Sequence, residues 1–201
     1  MQSVVESVGE HVEEFTAGDT VLPVFLPNCN ECSDCESQKS NMCSIFENNF
    51  SPEMPRDGTS RFKDMNGIGA AWKVAEVEEG STVAIFGLGP VGLAKFGVTD
   101  FVNPETCGEK SVSEVIKELT NGGADYCFEC IGLASLMQEA FLSSRKGWGK
   151  TVILGVETHG AQVSLNPYEF LRGRSVIGSL FGGVKPKSDI PVFAKKYLDN
   201  V

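Results

Sequence analysis

The sequence predicts an α/β protein with an all-β portion: a turn-rich region over 1–67, then alternating strands and helices over 68–201. Two observations lead there. From 68 onward, apolar runs of strand length alternate with segments of helical period, and such alternation builds a parallel, doubly wound sheet. Ahead of it, 28–67 is polar and nearly aperiodic, yet it holds four cysteines, Pro52, Pro55 and the turns Asp57-Gly58 and Asn66-Gly67. A stretch that long needs something other than an apolar core to order it.

The elements follow in chain order. Val4, Val5 and Val8 precede Gly9, and Val21-Leu22-Pro23-Val24-Phe25 follows the Ala17-Gly18-Asp19 turn, which predicts strand, turn, strand. Ser81–Phe86 is a buried-strand pattern and Val98–Val102 a second. Ser111 with Glu114 forms a capping box ahead of Val112, Val115, Ile116 and Leu119, spaced for one helix face, and Gly122-Gly123 ends that helix. Tyr126–Ile131 is the third strand. Leu133, Leu136, Met137, Ala140 and Phe141 mark a second amphipathic helix; Thr151–Leu154 and Ser175–Leu180 are the last strands, and Tyr197–Val201 looks like the early part of a helix.

Composition bounds the function. The chain has 201 residues, 41% hydrophobic and 22% charged, with a formal net charge of -10. An acidic chain repels phosphate backbones and anionic lipid, so neither nucleic acid nor a membrane surface is an expected partner. No apolar run is long enough to span a bilayer. The first residues, MQSVVESVGEHVEEF, show no secretory pattern, which predicts a cytoplasmic, reducing compartment. There, seven cysteines suggest metal binding or free thiols rather than disulfides.

The strongest motif is Cys29-x2-Cys32-x2-Cys35-x7-Cys43. Thiols at this spacing can wrap one tetrahedral ion; zinc suits four thiolates and keeps no open position, which makes such a site structural. Free surface thiols are the blander reading, and a zinc-ribbon nucleic-acid module is another. The latter normally has a basic surface, whereas Glu31, Asp34 and Glu36 stand among these cysteines.

The second motif is Gly87-Leu88-Gly89-Pro90-Val91-Gly92, directly after the first strand of the alternating region. In a dinucleotide site the first Gly makes the tight turn, the second admits the pyrophosphate, and the third lets the next helix pack. A glycine-rich turn without a ligand is the alternative. His11, between acidic residues, is read as a solvated turn residue, and His159 as a loop residue. Cys107 is a loop thiol. Cys127 and Cys130 fall on opposite faces of a strand and do not form a redox pair.

These motifs, in this order, resemble the zinc-containing medium-chain alcohol dehydrogenases. ESVGEHVEEF, GDTVLPVFLPNC, MPRDGTSRFKD, GSTVAIFGLGPVGL and RGRSVIGSLFGGVKPKSDIP match the plant-type members along essentially the whole chain. The resemblance implies a partial GroES-like domain over 1–67, carrying the structural zinc lobe, and an incomplete Rossmann domain over 68–201 that binds NAD. It makes Cys29, Cys32, Cys35 and Cys43 the structural zinc ligands and Gly87, Gly89 and Gly92 the pyrophosphate loop. Ile131 and Gly132 lie beside the adenosine half; Leu154, Gly155, Val156 and Phe181 line the nicotinamide side. A small alcohol or aldehyde is the implied substrate, and a homodimer the family's assembly.

The match also has gaps. By the resemblance, a catalytic zinc is held by a cysteine that precedes Met1, a histidine where Met1-Gln2-Ser3 stand, and a second cysteine in a stretch that Met65-Asn66-Gly67-Ile68 replaces. After Gly92 the chain reaches Val98 within a few residues. A helix over Pro90–Phe96 would span only about 10 Å, and no acidic residue stands at a strand end roughly 20 residues on to hold the ribose. Two expectations follow. One is an alcohol dehydrogenase by descent with impaired catalysis, one structural zinc and NAD binding weak or lost. The other is a non-catalytic zinc-binding fragment that acts by association or has no function.

Overall fold

The computed structural model describes residues 3–21, 26, 28–45, 67, 69–87, 98–158 and 160–198. The chain divides into two compact units, Met1–Phe50 with Lys185–Val201, and Ser51–Val184.

In the first unit, strands β1 (Ser3–Val4) and β2 (Thr20–Val21) pair antiparallel, Ser3 opposite Val21 and Val4 opposite Thr20. The Asp19 carboxylate accepts the Thr16 N–H at 2.7 Å, and the Gly18 N–H reaches Val5 O at 2.8 Å, closing the turn. The strand–turn–strand expectation therefore holds at Thr20–Val21, while 22–25 lie outside the described residues. Helix α1 (Ser33–Glu36) is a single turn inside the cysteine segment. Helix α6 (Pro186–Leu198) closes the unit.

α6 includes Tyr197 and Leu198, where a helix was expected, and begins already at Pro186, while 199–201 lie outside the described residues. Pro186 stands first in the helix, where its fixed φ fits and no N–H is missed. The Lys185 N–H donates to the Asp189 carboxylate at 2.7 Å, anchoring the first turn. Pro191 lies inside the helix and removes one donor, so in sequence it reads as a stop.

The second unit is built on a four-stranded, all-parallel sheet: β3 (Val83–Phe86), β4 (Tyr126–Glu129), β5 (Lys150–Ile153) and β6 (Ser175–Gly178), side by side in that order. Helices α3 (Val112–Leu119) and α4 (Ala134–Ser143) lie on one face. There Ile116 and Ala140 pack with Phe86, Ala124 and Cys127. The other face is covered by α2 (Ala70–Ala75), a π-type helix whose Ala70, Ala71 and Ala75 pack with Phe128 and Val152. Burying a Phe or Val side chain of this kind stabilises the unit by about 1.5–3 kcal/mol. A short helix, α5 (Pro167–Leu171), precedes β6. β3 is apolar at every position and β4 at its first three, so successive side chains serve both layers: Val83, Ile85 and Phe128 on the α2 face, Ala84, Phe86 and Cys127 on the other.

The capping box is present. The Ser111 hydroxyl oxygen accepts the Glu114 N–H at 3.2 Å, and the Glu114 carboxylate accepts the Ser111 N–H at 2.8 Å. Gly122 and Gly123, at φ 115 and 125, follow the helix end as expected.

One expected strand does not form. Residues 98–103 carry no regular structure, and Val98 and Phe101 are 61% and 67% exposed. The reason is the connection. A parallel neighbour of β3 needs a crossover of about a dozen or more residues, and only the stretch between Gly87 and Val98 is available. Among the described residues β3 therefore pairs with β4 alone. Helix α2 was also not anticipated. It ends where Glu76 turns left-handed, at φ 55 and ψ 53, and its N–H returns to Ala71 O. No described helix is long and apolar enough to cross a membrane.

Candidate metal centre and nucleotide face

Cys29, Cys32, Cys35 and Cys43 come together, with their sulfurs all within 4.8 Å of one another. The Cys29–Cys35 pair stands at 3.9 Å and Cys32–Cys43 at 4.0 Å. A tetrahedral zinc with Zn–S bonds of about 2.3 Å requires sulfur–sulfur edges of about 3.8 Å, so this set fits the ion. The local backbone explains the closure. Asn30 turns left-handed at φ 62, and its N–H donates to the Asn28 carboxamide at 2.9 Å. This directs the Glu31 and Cys32 N–H groups onto the Cys29 sulfur at 3.4 and 3.3 Å. One repeat later the Cys35 N–H reaches the Cys32 sulfur at 3.4 Å, where Cys32 caps α1. Such N–H donors favour thiolate over thiol and orient the sulfurs.

The thiols are not equivalent. The Ser44 hydroxyl and the Cys35 N–H hold the Cys32 thiol down at about 5. Burial pushes Cys35 up to about 11, against the Asn30 and Cys29 backbone donors. Cys43 is 0% exposed; burial raises it, but backbone donors of Cys29 and Ile45 bring it below its ordinary value. Four sulfurs gathered this closely, with N–H donors aimed at them, form a soft donor set suited to zinc.

The nucleotide residues read from sequence separate into three groups. Leu88, Gly89, Pro90, Val91 and Gly92 lie outside the described residues, as does His159. Gly87, Ile131, Gly132, Gly155 and Val156 converge at the carboxyl ends of β3, β4 and β5, the edge where open α/β sheets take ligands. Gly87 sits at φ 110, and a Cβ there would come within 2.9 Å of the Ile131 side chain. Gly155 approaches Gly132 so closely that a Cβ would stand 2.1 Å from its nitrogen. Leu154 packs on the α2 face of the core. Phe181 is 2% exposed at φ 52, and the Phe181–Gly183 turn packs against α2.

Glu129 is the residue that sequence reasoning missed here. Its side chain is fully buried at the end of β4, and one carboxylate oxygen accepts the Ile131 and Gly132 N–H groups at 2.9 and 2.8 Å. Its backbone carbonyl accepts the Leu154 and Gly155 N–H groups. The second carboxylate oxygen, Oε2, is buried with no hydrogen bond. The signal was a lone acid inside the apolar run Tyr126–Ile131.

The other polar candidates are placed as read. His11 is exposed in a turn. Cys127 belongs to the α3/α4 layer and Cys130 packs on the α2 layer, on opposite sides of the sheet. Burial pushes both thiols up, Cys130 to about 12. All seven cysteines are free thiols.

A parallel sheet with a glycine-lined carboxyl edge, accompanied by a closed four-cysteine lobe, defines a dehydrogenase-type architecture. Comparison with known proteins gives the family. The profile described as "Alcohol dehydrogenase GroES-like domain" matches residues 1–85, and "Zinc-binding dehydrogenase" matches residues 92–197. "Alcohol dehydrogenase-like 1" of Arabidopsis thaliana is 46% identical over 268 residues, covering 97% of this chain and 69% of that protein. "Alcohol dehydrogenase class-3" of Oryza sativa subsp. japonica is 36% identical, covering 98% of this chain and 70% of that one. Among solved structures, benzyl alcohol dehydrogenase from Acinetobacter calcoaceticus superposes with a TM-score of 0.78 at 19% identity, over 99% of this chain and 72% of that one. The chain belongs to the zinc-type medium-chain alcohol dehydrogenase family, with a GroES-like portion and a Rossmann-type portion.

Proposed function

We propose that this chain is an alcohol dehydrogenase-type oxidoreductase by descent that holds one structural zinc through Cys29, Cys32, Cys35 and Cys43, and in which hydride transfer to NAD is impaired. The carrying observation is the closed sulfur set: all four positions of a tetrahedral ion are filled by protein, so zinc bound there orders the lobe and has no position left for an alcohol oxygen. Catalysis in this family would need a second zinc open to substrate, which lowers the alcohol's pKa. The match to the Arabidopsis protein runs over 268 residues while this chain has 201, so part of the relative has no counterpart inside this chain. By the resemblance, one ligand cysteine belongs to the interior stretch that Met65–Ile68 replaces.

Weak NAD binding follows from the same reading. The glycines at the carboxyl edge supply room for a pyrophosphate, but the segment after them is too short to add the strand that carries a ribose-binding acid. Losing a hydrogen bond to a charged group costs roughly 1.5–3 kcal/mol, or about tenfold or more in affinity. Seven free thiols suit a reducing, cytoplasmic setting.

The test uses the purified full chain. Elemental analysis is expected to find one zinc per chain, reduced when any of the four cysteines is replaced by Ser. With ethanol and NAD, NADH absorbance is expected not to rise. Full zinc retention in all four single variants would remove the metal assignment. Turnover that survives removal of host dehydrogenase, or an NAD affinity typical of an intact dehydrogenase, would remove the impairment.

A further inference from the structure

We infer that Lys185 is a positioning residue for the metal lobe: its ammonium clamps the backbone around Cys35 and places a positive charge beside the sulfur set. Lys185 stands at the entry to α6, far along the chain from the cysteines, and within the same compact unit. An ammonium offers three donors. Here Nζ reaches the carbonyl oxygens of Ser37, of Cys35 at 2.8 Å and of Asp34 at 3.5 Å. The backbone N–H of the same residue is fixed on Asp189, so the lysine is held at both ends.

The lobe needs such a clamp. α1 is only four residues long, below the length at which a helix holds itself, and its last carbonyls have no partner within the helix. Little apolar burial orders the segment; among the described residues of 26–45 only Leu26 and Cys43 are buried. The Asp34, Cys35 and Ser37 carbonyls flank one of the four sulfurs. Fixing them fixes where that sulfur points. A divalent ion with four thiolates carries net negative charge, which a neighbouring ammonium offsets. The metal half of this inference rests on the zinc assignment above.

The experiment compares the full chain with Lys185→Met, Lys185→Arg and the exposed control Lys187→Met. Zinc affinity is measured by competition with a chromogenic chelator at low and high salt. Amide exchange of residues 28–45 is followed in the metal-loaded and chelator-treated proteins. Lys185→Met keeps the aliphatic stem and loses every donor; it is expected to weaken zinc binding about tenfold or more. Lys185→Arg should fall between it and the parent, and the parent's advantage should shrink at high salt. Equal zinc affinity in Lys185→Met and the parent would overturn the clamp. If the parent itself binds no zinc, the metal assignment fails, and exchange decides the clamp alone. Faster exchange across 28–45 in Lys185→Met supports it, and unchanged exchange refutes it. Peptides from β4 and β5 serve as the folding control; if they also loosen, Lys185→Arg carries the comparison.

Discussion

At the residue scale, the carboxyl edge of the sheet depends on positions where no side chain fits. Gly132 sits at φ 94, and a Cβ there would stand 2.4 Å from Val156 O, with further backbone atoms within 2.8 Å. Those atoms cannot yield as the tip of a flexible side chain can. Gly108 also has positive φ, at 65, but nothing lies within 4 Å of its would-be Cβ. Gly132→Ala is therefore expected to destabilise by well over about 1 kcal/mol, and Gly108→Ala by the conformational strain alone. Urea unfolding of the two variants separates these effects; equal losses would mean that the Gly132–Val156 approach is not tight. Glu129 belongs to the same edge. It satisfies two N–H groups of the turn holding Gly132 with one oxygen, so its role is to shape the turn.

Individual elements are fixed by their ends more than by their length. α3 is eight residues long and closed by a reciprocal capping box, which serves donors that an isolated helix leaves open. Removing the hydroxyl in Ser111→Ala is expected to destabilise by about 1 kcal/mol, within a range of roughly 0.5–2. A thermal melt reads this directly, and no change in midpoint would show that the Glu114 carboxylate suffices alone. α4 and α5 are tied at their ends by Arg174, 4% exposed, which donates to the Ser144 and Leu142 carbonyls and pairs with Glu169. β3 shows the opposite case. Its sequence is an ordinary buried strand, but the short connection after Gly87 leaves it paired with β4 alone among the described residues. In α1 the clamp by Lys185 takes the place that a longer helix would fill for itself.

Across the whole molecule, stability is expected to fall with acid through identifiable groups. Asp125 joins three parts of the sheet unit. Its carboxylate accepts the Thr82 N–H and hydroxyl at 2.8 and 2.7 Å and the Trp148 indole at 2.7 Å, with the Arg145 guanidinium at 3.4 Å. Burial alone would push its carboxyl up, but these donors outweigh burial and hold it below its ordinary value. The folded state thus binds this proton less readily than the unfolded chain. The contribution is present above about pH 4, the unfolded carboxylate range, and is lost as pH falls through the lower folded value. Asp125→Asn should be less stable than the parent near neutrality, with a gap that narrows below about pH 4. A gap that stays constant through that range in urea titrations would remove Asp125 from the acid response. How much of this was legible beforehand follows from where each signal lies along the chain. The sequence by itself determined the features that are local. Cysteines at two-residue spacing bring their sulfurs together, Ser111 and Glu114 cap α3, short apolar runs lay out β3, β4, β5 and β6, and a period of 3.6 lays out α3 and α4. Tertiary structure decided what depends on distance along the chain. Val98–Val102 has strand composition but too short a connection to reach an edge, and composition does not register connection length. α6 was expected only around Tyr197, and its start at Pro186 was decided by the fold, with Pro191 carried inside the helix. Lys185 gained its role only when the chain returned on itself, since an ammonium clamp is defined by the carbonyls around it, and those come from a remote part of the sequence; Glu129 bonds the neighbouring Ile131 and Gly132 N–H groups, and it is its complete burial that only the fold decided.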